Sequence, residues 1–150
     1  MEVQASQALR PRSMSRPSPA PLFRLGCLVA GLAVAIGAFG AHALKPHLDG
    51  NKMADVFETG VKYQFYHALP FFALSQLQSQ APAQASVAWT KACSCLFLSG
   101  VILFSGSLYA LALSNVTIIG VVTPMGGIAL LAGWLMLAIK GPRLLENPHM

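Results

Sequence analysis

Residues 25–44 read LGCLVAGLAVAIGAFGAHAL and contain no formally charged side chain. An α-helix rises 1.5 Å per residue, so this stretch forms about 30 Å of helix, enough to cross the hydrocarbon core of a bilayer. Small residues recur at every fourth position, at Ala33, Gly37 and Ala41. Such a stripe lets a neighbouring helix approach closely in lipid, where close packing holds helices together. The stretch therefore predicts a membrane-spanning helix.

The composition of the whole chain also indicates a membrane protein. Of its 150 residues, 55% are hydrophobic and only 10% are charged, against roughly 25% charged in soluble domains. Four arginines precede the first apolar stretch: Arg10, Arg12, Arg16 and Arg24. They lie in a segment rich in proline and serine that lacks the stacking side chains of a nucleic-acid-binding face. This placement favours a membrane-flanking role over nucleic-acid binding.

Three more apolar stretches follow, and together they predict an all-α membrane protein built as a four-helix transmembrane bundle. The predicted spans cover residues 25–44, 63–80, 92–113 and 121–139, within a membrane domain at 22–140. Pro70 lies inside the second span and should kink it, because proline lacks the N–H that the preceding turn accepts. The last span is predicted to end at Lys140, where Gly141 and Pro142 follow.

A polar segment with helical periodicity connects the first two spans. After the turn signal Asp49-Gly50, apolar or small residues recur at i, i+3, i+4, i+7 and i+8: Met53, Val56, Phe57, Gly60 and Val61. Charged residues occupy the other face: Lys52, Asp55, Glu58 and Lys62. This pattern predicts an amphipathic helix that lies along the membrane surface.

The two ends of the chain are predicted to lie outside the membrane domain. Residues 1–21 hold four of the ten prolines and no hydrophobic periodicity, which predicts a disordered tail. Met14 is an alternative start, and the segment is alternatively a targeting sequence. Ala41-His42-Ala43 resembles a signal-peptidase site, but the length of the stretch before it and the spans after it favour a retained anchor. Residues 141–150 form a short C-terminal tail.

Lysine and arginine residues near the span ends predict the orientation. If both termini are cytoplasmic, that side carries seven of these residues and the other side carries three: Lys45, Lys52 and Lys62. The positive-inside rule therefore predicts cytoplasmic termini in a cell (inner) membrane, with a mitochondrial membrane as the alternative.

Polar side chains inside the predicted spans gather toward the outer end of the bundle: His42, His67, Ser105, Ser107, Tyr109 and Thr123. Most should lie within about 3–12 Å of that interface, and because intramembrane polar groups need partners, we expect them to meet. His42 and His67 in particular are predicted to approach each other. One interpretation is a hydrogen-bonded structural cluster. The alternative is a small transport, metal-binding or haem-binding site that uses the two imidazoles.

No pattern in the sequence is typical of an enzyme active site. The chain has no Gly-rich phosphate loop, no Ser/His/Asp set and no paired carboxylates within the spans. Two histidines without a carboxylate or thiolate leave a metal under-ligated, and Cys93-Ser94-Cys95 lacks further ligands, so we predict no metal or cofactor. We expect a non-catalytic bundle in contact with the lipid bilayer, either homo-oligomeric or bound to a membrane-protein partner.

Four motifs in order resemble one family of small membrane proteins. They are GAFGAH at 37–42, YQFYHAL at 63–69, FSGSLY at 104–109 and TPMGG at 123–127, closed by Gly133-Trp134. Over about residues 24–140 the chain is similar to the family called "domain of unknown function 423", which is related to transmembrane protein 256 of eukaryotes. The resemblance implies a multi-pass membrane protein and no established activity.

Overall fold

The computed structural model describes residues 18–80 and 83–146, and within those ranges the chain forms helices and turns without a strand. The all-α class is therefore confirmed. The elements in chain order are α1 (Ala20–Ala41), α2 (Lys45–Gly50), α3 (Ala54–Tyr66), α4 (Leu69–Gln80), α5 (Ala83–Ser114), a 3₁₀ helix (Thr117–Val122) and α6 (Thr123–Glu146).

Three helical stretches are long and apolar enough to cross a membrane. They are Ala20–Ala41, Ala88–Ser114 and Thr117–Pro142, and they correspond to the first, third and fourth predicted spans. Large apolar side chains on their outer faces stay exposed, for example Leu28 at 63% and Leu131 at 70%. Apolar surface exposed over whole helices is stable against lipid and costly in water, which agrees with a membrane location.

Helices α3 and α4 lie one after the other along α1 and run in the opposite direction. Phe57 of α3 lies against Gly40 near the end of α1, and Phe72 of α4 lies against Gly26 near its start. Both helices also contact α5. The segment predicted as an interfacial helix therefore packs on two long helices, with its charged side chains exposed: Asp55, Glu58 and Lys62.

The chain between α3 and α4 breaks at His67 and Ala68. Pro70 is the second residue of α4, a position where the missing N–H costs little. The Ala68 N–H donates to the Phe65 carbonyl at 3.1 Å, and the Phe71 N–H donates to the Ala68 carbonyl at 3.2 Å. The kink predicted from Pro70 is thus a complete break, and it leaves two helices of 13 and 12 residues.

The main hydrophobic core lies where α4 crosses α1, α5 and α6. It includes Val29, Phe71, Leu74, Phe97 and Leu130. A smaller cluster at the other end joins α2, α3 and α5 through Leu48, Phe57 and Ala112. Interior contacts of both clusters are therefore shared among at least three helices, which fixes the short helices relative to the long ones.

Both outer ends differ from the sequence prediction. Helix α1 begins at Ala20, five residues before the predicted span, and α6 continues through Pro142 to Glu146. The predicted helix end at Lys140 is wrong, because Pro142 removes only one hydrogen bond and water can replace it near a helix terminus. Residues 1–17 and 147–150 of the predicted tails lie outside the described residues.

Candidate functional site

Gln64 joins three helices in the interior. It is 6% exposed, and it lies on α3 between α1 and α5. Its Nε2 donates to the Val29 carbonyl of α1 at 3.0 Å, and its Oε1 accepts from the Tyr109 hydroxyl of α5 at 2.9 Å. We call these three residues the glutamine bridge. Sequence reasoning found Tyr109 but missed Gln64, although a glutamine in the YQFYHAL motif, four residues before the buried Ala68, was an available signal.

The ring of His67 is held at the break between α3 and α4. Its Nδ1 lies 2.6 Å from the Tyr63 carbonyl. A carbonyl only accepts, so Nδ1 carries the proton and Nε2 of the neutral ring has a free lone pair. Nε2 has no hydrogen-bond partner among the described residues. The ring is surrounded by aromatic side chains, with its centroid 6.3 Å from that of Phe97 and 6.1 Å from that of Trp134.

His42 does not join His67. It is exposed and caps the C-terminus of α1, whose end packs through Gly40 against Phe57. His67 lies ten residues beyond Phe57 in the chain, about 15 Å along a helix. The prediction that the two histidines approach each other is therefore not met. It assumed a helix that begins near residue 63, whereas α3 begins at Ala54 and carries His67 away from the end of α1.

Ser107 and Thr123 form a second polar contact, between α5 and the start of α6. Their hydroxyl oxygens lie 2.7 Å apart, and the Ser107 hydroxyl also lies 2.9 Å from the Phe104 carbonyl. Since Ser107 has one hydroxyl proton and the carbonyl needs a donor, Thr123 donates to Ser107. The structure thus brings together two of the predicted residues at the junction of α5 and α6.

Ser105 lies deepest of the predicted residues. It is 1% exposed, and its Oγ has no hydrogen-bond partner among the described residues. Its backbone carbonyl lies against Gly60, where an added Cβ would be 3.3 Å away, and the Tyr109 ring covers the same glycine at 2.8 Å. The predicted residues are therefore distributed over separate contacts, and His42 lies outside all of them.

His47 of α2 and Asn51, the residue directly after α2, cap the C-terminus of α5, and sequence reasoning missed both. His47 Nε2 donates to the Leu113 carbonyl at 2.8 Å, and Asn51 Nδ2 donates to the Ala112 carbonyl at 3.2 Å. Because Nε2 carries the donated proton, its 3.1 Å approach to Asn51 Nδ2 is a contact between two donors. The last carbonyls of any helix need outside donors, which was the available signal.

The cysteines of α5 do not form a metal clip. Cys93 is buried and its Sγ donates to the Gly133 carbonyl at 3.5 Å, whereas Cys95 is exposed. In the ranges that the structure describes, no three His, Cys, Asp or Glu side chains are grouped closely enough to hold a metal ion. Three of the buried polar side chains in these ranges bond to another part of the chain: Gln64 to Val29, Ser75 to Pro19 and Ser107 to Thr123.

The long apolar helices, their exposed apolar faces and the hydrogen-bonded interior define the class: a helical, multi-pass membrane protein. A family model described as "Protein of unknown function (DUF423)" matches residues 36–127. The chain belongs to this family, as the four motifs indicated.

Relatives from several bacteria agree with this assignment. The chain is 39% identical over 121 residues to the UPF0382 membrane protein YwdK of Bacillus subtilis, covering 81% of this chain and 95% of the relative. It is 42% identical to the UPF0382 membrane protein SSP2132 of Staphylococcus saprophyticus, covering 77% and 91%. The UPF0382 inner membrane protein YgdD of Escherichia coli K12 is 39% identical, covering 74% and 81%. No solved structure matches the chain.

Proposed function

We propose that this protein is a non-catalytic membrane bundle whose polar interior fixes helix packing, so that its surface can associate with a second copy or with a membrane-protein partner. The glutamine bridge carries the proposal. Gln64 uses its amide nitrogen as a donor to Val29 and its amide oxygen as an acceptor from Tyr109. Both bonds connect different helices, which suits a structural role. Intramembrane polar groups that serve catalysis would instead be expected to face a cavity or a substrate path.

In the proposed topology the chain crosses the bilayer four times and both termini are cytoplasmic. The second crossing consists of the last turn of α3 and the whole of α4, residues 63–80, which run back along α1. The interfacial part is α2 with the first turns of α3, where the charged residues lie. The seven-to-three distribution of Lys and Arg supports this orientation in a cell membrane.

Labelling of single cysteines tests the topology. Three variants are made in a background without Cys27, Cys93 and Cys95: Ala8→Cys, Gly50→Cys and Asn147→Cys. Intact cells that express each variant are treated with a thiol reagent that does not cross the membrane. We expect labelling at residue 50 only. Labelling at residues 8 and 147 with protection at residue 50 would reverse the orientation. Size-exclusion chromatography with light scattering then tells whether the purified protein associates with itself.

His67 supports a second candidate function, a ligand site for haem, a metal or a transported species. The His67 residue is 7% exposed and surrounded by aromatic rings, and its Nε2 has a lone pair that can ligate a metal. It lies at a break between helices, where transport proteins often bind their substrates. Absorption spectra and elemental analysis of the protein in mild detergent separate the two candidates. A bound haem or stoichiometric metal that His67→Gln removes, with the fold retained, would favour the ligand site.

A further inference from the structure

A cavity of about 470 Å³ lies where α1 ends beside α2 and the first half of α3. Its floor is apolar or small and includes Gly37, Gly40, Leu48, Phe57 and Val61. Four charged side chains stand at its rim: Lys45, Asp49, Glu58 and Lys62. The non-catalytic role proposed above makes no use of this cavity.

The rim consists of two ion pairs, each made of one lysine and one carboxylate, so its net charge is zero. Lys45 Nζ lies 3.2 Å from Asp49 Oδ2, and Lys62 Nζ lies 2.8 Å from Glu58 Oε1. All four side chains are at least half exposed. Exposed ion pairs of this kind are weak, so a ligand that carries both charges can share or replace them at little cost.

An apolar groove continues from this cavity along the contact between α1 and α3. Its volume is about 270 Å³, and it shares Gly37, Val61 and Lys62 with the cavity. It then extends to Ala33 of α1 and to Phe65 and Tyr66 of α3. Ala33 lies eight residues before Ala41, which lines the cavity, and this is about 12 Å along the helix. The small residues that predicted a packing stripe, Ala33, Gly37 and Ala41, therefore line two adjoining pockets, and we call this pair of pockets the channel.

We propose that this channel binds one zwitterionic glycerophospholipid. The phosphate contacts Lys45 and Lys62, the ammonium contacts Asp49 and Glu58, and one acyl chain lies in the groove. Balanced charge at the rim favours a zwitterionic head, because an anionic head would draw the two lysines away from Asp49 and Glu58 and leave those carboxylates unpaired, and a neutral head would make no charged contact. A free phosphate ester would leave the apolar groove empty. The proposal rests on the proposed topology, which places α2 and the start of α3 at a membrane surface.

Native mass spectrometry of the delipidated full-length protein tests the site. The probes are dioleoyl-phosphatidylethanolamine, dioleoyl-phosphatidylglycerol and dioleoylglycerol, which differ only in their heads. We expect one molecule of the zwitterionic lipid to bind about tenfold more tightly than the other two, which corresponds to about 1.4 kcal/mol. Equal binding of all three lipids would overturn the proposal. Competition by water-soluble phosphoethanolamine at the lipid's own concentration would also overturn it, in favour of a soluble ligand.

Substitutions at the rim separate the two halves of the head group. Lys45→Gln with Lys62→Gln should weaken the zwitterionic lipid about tenfold, since two charge-assisted contacts are lost. Asp49→Asn with Glu58→Gln should abolish the preference over phosphatidylglycerol. The single substitutions Lys52→Gln and Asp55→Asn are the controls for Lys62→Gln and Asp49→Asn made singly, because they remove the same kind of charge in the same segment without lining the cavity. If the controls act as strongly as the rim variants, the effect is general surface charge and the site does not exist.

A bulky side chain tests the groove separately from the rim. Ala38 lines the groove and is exposed, so Ala38→Trp fills it without entering the helix contacts. Ala35→Trp on the same helix is the control, because Ala35 lies outside this groove. We expect only the first to lower lipid binding, with equal melting temperatures. Equal binding by both variants would contradict the acyl-chain position. If the Gly50→Cys variant is labelled as the topology predicts but the protein does not distinguish the three lipids, the lipid site alone is rejected and the proposed topology stands.

Discussion

Helix α6 meets α5 through a glycine backbone contact, whereas α3 adds the glutamine bridge to its packing against α1 and α5. At Gly126 an added Cβ would lie 2.3 Å from the Phe104 backbone nitrogen, so the two helices are in backbone contact. At Gln64 a long side chain reaches from α3 to both neighbouring helices, and its hydrogen bonds join it to Val29 and Tyr109. In lipid, burial of apolar side chains between helices gains little free energy, because the lipid tails are also apolar. Close backbone packing and interhelical hydrogen bonds therefore hold the helices together.

The two contacts differ in what they tolerate. A backbone contact has no flexible atom that can move, so any added atom must displace a whole helix. A glutamine side chain has several rotatable bonds, and its loss leaves a donor and an acceptor that can find other partners in the unfolded state within the membrane. We therefore expect the glycine contact to be much more sensitive to substitution than the bridge.

The largest effect is expected for Gly126→Ala. The added methyl group would meet the backbone of Leu103 and Phe104 at 2.3–2.8 Å, so the helices must separate. Overpacking of this kind costs about 1–3 kcal/mol of the free energy of unfolding. Titration with sodium dodecyl sulfate in mixed micelles measures the change.

Gly127→Ala is the matched control for that experiment. Its Cβ would lie 3.7 Å from the Phe104 ring, an ordinary contact, and alanine favours a helix over glycine. The control should be neutral or slightly stabilising. Equal destabilisation by the two variants would mean that helix propensity or lipid contact, and not the backbone contact, governs this helix pair.

A smaller effect is expected at the glutamine bridge. Gln64→Leu removes the bonds to Val29 and Tyr109, and intramembrane hydrogen bonds average about 0.6 kcal/mol each, so we expect a loss of about 1 kcal/mol. A double-mutant cycle with Tyr109→Phe isolates the bond between the two side chains. Strictly additive effects of the two substitutions would show that Gln64 and Tyr109 do not interact in the folded protein.

The sequence predicted the long apolar helices and a kink at Pro70, because run length and proline chemistry are local properties, but it did not predict that the chain would break into two helices there. It did not predict that α3 would follow α1, since the charged face at Asp55, Glu58 and Lys62 suggested a surface helix. Because the prediction began the second long helix near residue 63, it placed His67 close to His42, whereas α3 begins at Ala54. Gln64 was missed for the same reason. Partners of a buried polar group depend on which helices are neighbours, which periodicity within one helix does not contain.

The smallest effect is expected at the cap of α5, and it distinguishes two exposed histidines at the same end of the bundle. His47 donates to the Leu113 carbonyl, whereas His42 makes no side-chain hydrogen bond within the described residues. A donor at a helix C-terminus contributes about 0.3–1 kcal/mol, so His47→Ala should lower the free energy of unfolding by that amount. His42→Ala should leave it unchanged. Asn51, directly after α2, also donates to the end of α5. Since His47 and Asn51 together hold this end, His47→Ala should in addition speed amide hydrogen exchange in the last turn of α5. If His42→Ala destabilises the protein as much as His47→Ala, the cap contributes nothing specific.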